Sequence, residues 1–294
     1  MLHSDIAALI KQTDSFPPLP RTVLRVLKIT GDPESSAHEL MQAILPDQSI
    51  CAAILKIVNS AFFGHPRKVC SIEQAVVVLG FLEIRNIILA QAVFSSFHKF
   101  RKTNKQDIDA LWQHSLTCAL TAKIIATRTT GYAPSQLFIA GLIHDIGKLT
   151  LLIAFPKYYN PQPEIVGPLS HNMTEEEEKF GINHCKAGML QLNRWLFPEE
   201  LCVATGYHHN PAALPDNAGF PLIVQMADII SHCVTGTETM TGRQILDLIN
   251  ELSPESPLLW RRYNFDWQQE NIEEWLNALQ TELADGTLIN MFNN

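Results

Sequence analysis

Gly141-Leu142-Ile143-His144-Asp145-Ile146-Gly147-Lys148-Leu149 places a histidine, an aspartate and a lysine inside an otherwise apolar run. The run extends from Pro134 to Ala154 without strand-like alternation and reads as one long, mostly buried helix. A lone histidine in such company is ordinarily a core residue holding one hydrogen bond. Asp145 is different, because an unpaired buried carboxylate is costly and demands a partner. Lys148 follows one helical turn later, placed either to reach an anionic ligand or, as a lysine near a helix C-terminus, to complement the dipole.

Working outward, the same pattern recurs. His114 lies in LWQHSLTCAL, His184 in GINHCKAGML, His208 and His209 in GYHHNP, and Asp228 in VQMADIISH. Each could be an ordinary core group. A divalent cation would instead satisfy all of them together, and imidazole mixed with carboxylate suits Fe, Mn, Zn or Ni better than Mg. Within a helix, adjacent residues point about 100° apart. One member of His144-Asp145 or His208-His209 can then face one ion while its neighbour meets a second ion or an outer contact. An aspartate beside a histidine is a natural bridge between two cations.

Helical periodicity runs through the rest of the chain, and hairpin signals are scarce. Pro20 is suited to the first turn of a helix carrying Thr22 to Lys28. Ile50, Ile54 and Ile57 share one face between Asp47 and Asn59. Ser71-Ile72-Glu73-Gln74 fits a capping box, and Gly80 separates that helix from one over Phe81 to Phe97. The polar stretch 98–107 reads as a boundary. Residues 155–173, with four prolines, read as a surface loop. Helices are expected at 174–181, 184–195, 198–207 and 220–234, with two more in the tail, the last near Trp267 to Leu283. Phe62 and Phe63 read as core, and Glu175 to Glu178 as a solvated first turn. Trp260-Arg261-Arg262-Tyr263 reads as a helix packing back on the domain. The expected fold is all-α, with an N-terminal helical lobe (1–100), a lobe carrying the histidines and aspartates (108–240) and a C-terminal helical extension (241–294).

GLIHDIGKL resembles the central motif of the HD superfamily, and His114, His144, Asp145 and Asp228 match its four metal positions in order. His184, His208 and His209 resemble the extra ligands of the binuclear branch. The first lobe points to a narrower relative. FPPLPRTVLRVLKI (16–29), ILPDQSICAAILKIVNSAFFG (44–64) and SIEQAVVVLGFLEIRNIIL (71–89) resemble the HDOD family, and the likeness extends to about residue 235. That family is chiefly regulatory, and many members have lost metal ligands, whereas here the full set is kept. Asn210-Pro211-Ala212-Ala213 after the His208-His209 pair lacks the acidic residue and the GYP tripeptide of the cyclic-di-GMP enzymes, so that activity is not implied.

The resemblance implies an HD-like helical bundle that serves as a signal-transduction module with a metal site, probed by an unidentified protein partner. Its alternative is a metal-dependent phosphohydrolase acting on a phosphoester, with Asp145 and Lys148 at the reacting centre. In both, a divalent transition metal, two ions per chain, is expected on His114, His144, Asp145, His184, His208, His209 and Asp228. A net charge of −8 argues against non-specific binding to nucleic acid or anionic lipid. The six cysteines form no C-x-x-C pair and read as reduced thiols of a cytoplasmic protein. The longest apolar run is read as Ala75 to Leu82, too short to span a bilayer. No Gly-rich phosphate loop or nucleophile elbow occurs.

Overall fold

The computed structural model describes residues 19–59, 68–100, 105–129, 131–155, 171–235 and 240–285. Phe62, Phe63 and most of the Pro-rich stretch 155–173 lie outside them. The fold is all-α, with no strand among the described residues.

Among the described residues, five helices come first: α1 (Arg21–Thr30), α2 (Ala37–Ile44), α3 (Gln48–Val58), α4 (Ile72–Leu79) and α5 (Phe81–Phe100). Pro20 is the N-cap of α1 and stands just outside its first turn. Asp47 caps α3, whose Ile50, Ile54 and Ile57 are buried on one face. At α4 the Ser71 side chain accepts from Gln74 N, but Gln74 Oε1 reaches back to Cys70 N at 2.8 Å, one residue beyond a reciprocal box. Asn59 closes α3 and fastens it to the chain that follows. Its amide donates to Leu55 O and Val69 O and accepts from Val69 N, each at 2.7 Å. α1, α3 and α4 all pack against α5.

The next helices are α6 (Lys105–Thr127), α7 (Pro134–Ile143), α8 (Ile146–Ala154), α9 (His171–Phe180), α10 (His184–Arg194), α11 (Glu199–Tyr207) and α12 (Gly219–Thr235). α6, α7 and α12 form a tightly packed layer, with α11 against α7 and α12, and α10 against α8 and α11. α5 also leans on α6 and α7, so one continuous apolar core runs from Leu19 to Leu279. The described residues of the tail hold three helices where two were expected: α13 (Gly242–Leu252), α14 (Ser256–Arg262) and α15 (Gln269–Asp285). α15 packs on α6 and α12. Trp260 is buried, and the Tyr263 hydroxyl donates to Pro215 O at 2.9 Å and accepts from Ala218 N at 2.7 Å, so this segment does pack back on the domain.

Two sequence expectations need correction. Pro134–Ala154 is longer than Ala75–Leu82 and apolar enough to cross a membrane by length and composition, yet 94% of an 18-residue window of it is buried inside the fold. It is also interrupted: His144 and Asp145 form a turn between α7 and α8. His208 and His209 likewise sit in a turn just past the end of α11. Neither pair projects from a regular helix, so the 100° argument does not apply to them. Helix ends leave backbone carbonyls without helical partners, and these turns use them to hold imidazoles.

The glycines of the central motif set how closely the helices meet. A Cβ on Gly141 would lie 2.8 Å from both Ala119 Cα and Cys118 O of α6, and one on Gly147 would lie 1.8 Å from His184 O at the start of α10. Only a residue without a side chain permits either approach. Through them α6 and α10 are drawn onto the two sides of the His144-Asp145 turn.

Candidate metal centre

That convergence brings all seven sequence-predicted ligands together. His114 comes from α6, His144 and Asp145 from the α7–α8 turn, His184 from the first position of α10, His208 and His209 from the turn after α11, and Asp228 from α12. Asp145 lies between two groups of imidazoles. Its Oδ2 is 3.7 Å from His114 Nε2 and 3.4 Å from His144 Nε2. Its Oδ1 is 3.5 Å from His184 Nε2 and 3.8 Å from His208 Nε2. Asp228 Oδ1 completes the first group, 3.0 Å from His114 Nε2 and 3.5 Å from His144 Nε2. His209 Nε2 completes the second, 3.1 Å from His184 Nε2.

The outer hydrogen bonds decide which ring nitrogens face inward. His144 Nδ1 donates to Gly141 O at 2.7 Å, and His208 Nδ1 donates to Thr205 O at 2.9 Å. His184 Nδ1 donates to Glu176 Oε2 at 2.8 Å, and the same oxygen accepts from His184 N at 2.6 Å. A carbonyl can only accept, so Nδ1 carries the proton and, in the neutral ring, Nε2 presents a lone pair to the interior. His144 Nε2 nevertheless stands 3.2 Å from His114 Nε2. Asp145 Oδ1 and Asp228 Oδ1 are buried with no hydrogen-bond partner. Such close approaches need either a proton shared between the rings or a cation among them. The donor set and its outer contacts, with imidazole Nδ1 anchored to carbonyl or carboxylate, form clusters that could hold a metal ion.

Three neighbours were missed by reading the sequence. Glu176 is buried, whereas Glu175, Glu177 and Glu178 are exposed, in the middle of α9. The acidic run is therefore not a solvated first turn, and its inward member is Glu176. His232 follows Asp228 by one turn of α12, lies 3.3 Å from its Oδ1 and stacks on His114 with ring centroids 4.2 Å apart. Its i, i+4 spacing from Asp228 was the available signal. Cys185 is buried beside His184 and His208. Lys148 is not near a helix C-terminus: it lies in the first turn of α8, 5% exposed, with Nζ 2.8 Å from Asp145 Oδ2.

Proton affinities in the cluster are strongly divided. Burial opposes charge on Asp145 and Asp228, yet His144 and Lys148 beside the first, and His232 and His114 beside the second, hold both well below the usual carboxylate range. Burial likewise disfavours the cations of His144 and His184. Asp145 outweighs it for the first, and Cys185 and Glu176 for the second, so both imidazoles are raised well above 6.5. Burial takes His114 from 6.5 to about 4, and burial with His208 and His184 nearby lowers His209 well below 6.5. Burial raises the Cys185 thiol, but His184 and His208 outweigh it and bring it to about 6.

These directions predict a stability optimum for the chelator-treated protein. His114 and His209 refuse a proton that the unfolded chain accepts, so stability falls as pH drops below 6.5, for His114 down to about 4. His144 contributes fully below 6.5, and that stability is lost as pH rises through its elevated value, whereas the rise at His184 is offset by the lowered Cys185 thiol that causes it. Thermal melts should therefore peak near pH 6.5, the ordinary histidine value. Stability still climbing toward pH 4 would contradict the assignment.

Known proteins place this architecture. A solved HDOD domain protein of unknown function from Geobacter sulfurreducens matches with a TM-score of 0.69 at 25% identity, covering 99% of this chain and 98% of that one. A candidate phosphohydrolase from Shewanella amazonensis matches with a TM-score of 0.66 at 21% identity, covering 94% of this chain and all of that one (100%). An uncharacterized protein of Treponema pallidum is 24% identical over 225 residues, 75% of this chain; the chain spans 42% of that relative's length. The family model for the HDOD domain matches residues 16–211, from the approach to α1 through the His208-His209 turn. It takes in every histidine predicted as a ligand and leaves α12, with Asp228, beyond its end, and on that match the chain belongs to the HDOD domain family.

Proposed function

We propose that this chain is an HDOD signalling module whose helices are braced by two divalent transition-metal ions held on either side of Asp145. The observation that carries this reading is the division of the Asp145 carboxylate, with Oδ2 facing His114 and His144 and Oδ1 facing His184 and His208. One ion would take His114, His144, Asp145 and Asp228; the other would take Asp145, His184, His208 and His209. Fe, Mn, Zn and Ni all accept this mixture of nitrogen and oxygen donors.

Burial favours the regulatory reading. His144, His184 and His208 are 0% exposed and Asp145 is 1% exposed, so the centre joins α6, the α7–α8 turn, α10, the turn after α11 and α12 from within. Binding there is coupled to folding, because the ligands converge only in the folded chain. The lobes at 1–100 and 241–294 then serve as the surfaces through which a cytoplasmic partner senses the braced state.

A second reading, phosphoester hydrolysis, is favoured by the completeness of the ligand set. Two such ions bind phosphate oxygens and acidify water. In that reading Asp145 spaces the two halves, while Lys148, held at 2.8 Å, keeps its carboxylate ionised. Glu176 fixes the His184 ring through Nδ1.

The test is elemental analysis of protein purified without chelator, beside His144→Ala/Asp145→Ala. About two transition-metal ions per chain in the wild type and none in the variant support the centre. A folded wild type with no metal removes it. Turnover of a phosphoester panel by the loaded protein, abolished in the variant, would select the enzymatic reading over the regulatory one.

A further inference from the structure

The two halves of the centre differ in chemistry. Around His114 and His144 the clustered donors are histidine nitrogens and aspartate oxygens, with the Cys118 thiol beside His144 but outside that cluster. The other half contains a sulfur. Cys185 Sγ is buried 3.4 Å from His184 Nε2, and 3.9 and 4.0 Å from Nδ1 and Nε2 of His208. Its remaining polar neighbour is another sulfur, Met173 Sδ at 3.6 Å. Single ligand atoms from His184, Cys185, His208 and His209 all lie within 4.8 Å of one another.

Ligands on one tetrahedral ion, bound at about 2.1 Å for nitrogen and about 2.3 Å for sulfur, stand about 3.3 to 3.6 Å apart. The Cys185–His184 separation of 3.4 Å falls within this range, with His184–His209 at 3.1 Å just below it and Cys185–His208 at 4.0 Å just above. An independent sign of a ligand is Asp145 Oδ1, which is buried without a hydrogen-bond partner and lies 3.5 Å from the same His184 nitrogen.

We propose that Cys185 is a thiolate ligand of the ion on the His184 side, making that half selective for a borderline-soft cation such as Zn(II) over Mn(II) or Mg(II). The inference rests on the two-ion reading. Binding releases the thiol proton to solvent and forms a sulfur–metal bond, with no change of oxidation state. With Asp145 Oδ1, the groups His184, Cys185, His208 and His209 would surround that ion with five protein ligands and leave no open position, as in a structural rather than a catalytic site.

The experiment reloads the chelator-treated full chain with Co(II) and records its absorption spectrum together with cobalt stoichiometry. A near-ultraviolet sulfur-to-cobalt charge-transfer band is expected. It should disappear in Cys185→Ser and in Cys185→Ala while the visible ligand-field bands persist, and it should survive in Cys118→Ser, which removes the thiol beside His144. Zn(II) retention against a competing chelator should fall at least about tenfold in Cys185→Ser, with Mn(II) retention unchanged. Two bound Co(II) ions with no sulfur band, or a band that persists in both Cys185 variants, overturn the thiolate ligand alone. Failure of the wild type to bind cobalt overturns the two-ion reading as well.

Discussion

Asp145→Ala should empty both halves of the centre at once, whereas Asp228→Ala or His209→Ala should each leave one ion per chain. The asymmetry follows from position. Asp228 Oδ1 lies at 3.0–3.5 Å from His114, His232 and His144, all in one half, and His209 approaches His184 in the other. Asp145 alone among the carboxylates divides its oxygens between the two. The substitution also removes the carboxylate 2.8 Å from the buried Lys148 ammonium and leaves four imidazoles without their shared counter-charge. Breaking a buried ion pair from one side costs about 3–5 kcal/mol, so a large drop in melting temperature should accompany the loss of metal. Asp145→Asn separates the effects: it keeps the shape and removes the charge, and it should lose metal while packing stays native. Elemental analysis with chemical denaturation measures both. An Asp145→Ala protein that keeps one ion would show that the carboxylate serves a single half and is not a bridge.

Gly147→Ala should be nearly as damaging, although glycine binds nothing. The added methyl would meet His184 O at 1.8 Å and Gly188 N at 2.7 Å, both backbone atoms that no rotamer change can move. α8 and α10 must separate to admit it. Overpacking that shifts backbone costs about 1–3 kcal/mol and sometimes more, and the upper part of that range is expected here. The functional consequence is specific, because Asp145 rides at the start of α8 and His184 at the start of α10. Moving these helices apart lengthens the 3.5 Å approach of Asp145 Oδ1 to His184 Nε2. The ion on the His184 side should therefore be lost before the other. Metal stoichiometry and denaturant unfolding of Gly147→Ala check this, and a variant with wild-type stability and both ions would refute the account of the crossing.

Much of the molecule was legible from residue order. Caps such as Asp47 and the buried face of Ile50, Ile54 and Ile57 are local, governed by spacing along one helix, and they appear where the pattern puts them. The seven histidines and aspartates stood out because apolar runs do not otherwise carry them, and the fold gathers all seven. Other features were hidden. The stretch Pro134–Ala154 looks continuous to any measure of hydropathy, yet it breaks at His144-Asp145, where a carbonyl freed near the helix end anchors an imidazole. Glu176 is indistinguishable from Glu175, Glu177 and Glu178 in a charged run, and only the packing of α9 selects which one meets His184. Cys185 reads as a small core residue until the turn carrying His208 and His209 is brought beside it.

The all-helical class and the residues of the candidate centre thus follow from sequence alone, because periodicity and residue chemistry are properties of short stretches. The grouping of these residues into two halves, the place of Asp145 between them and the nearness of Cys185 to one half were decided only by tertiary structure. They depend on distances between helices far apart in the chain, and those distances are set by steric contacts, such as Gly147 against His184, that no local pattern encodes.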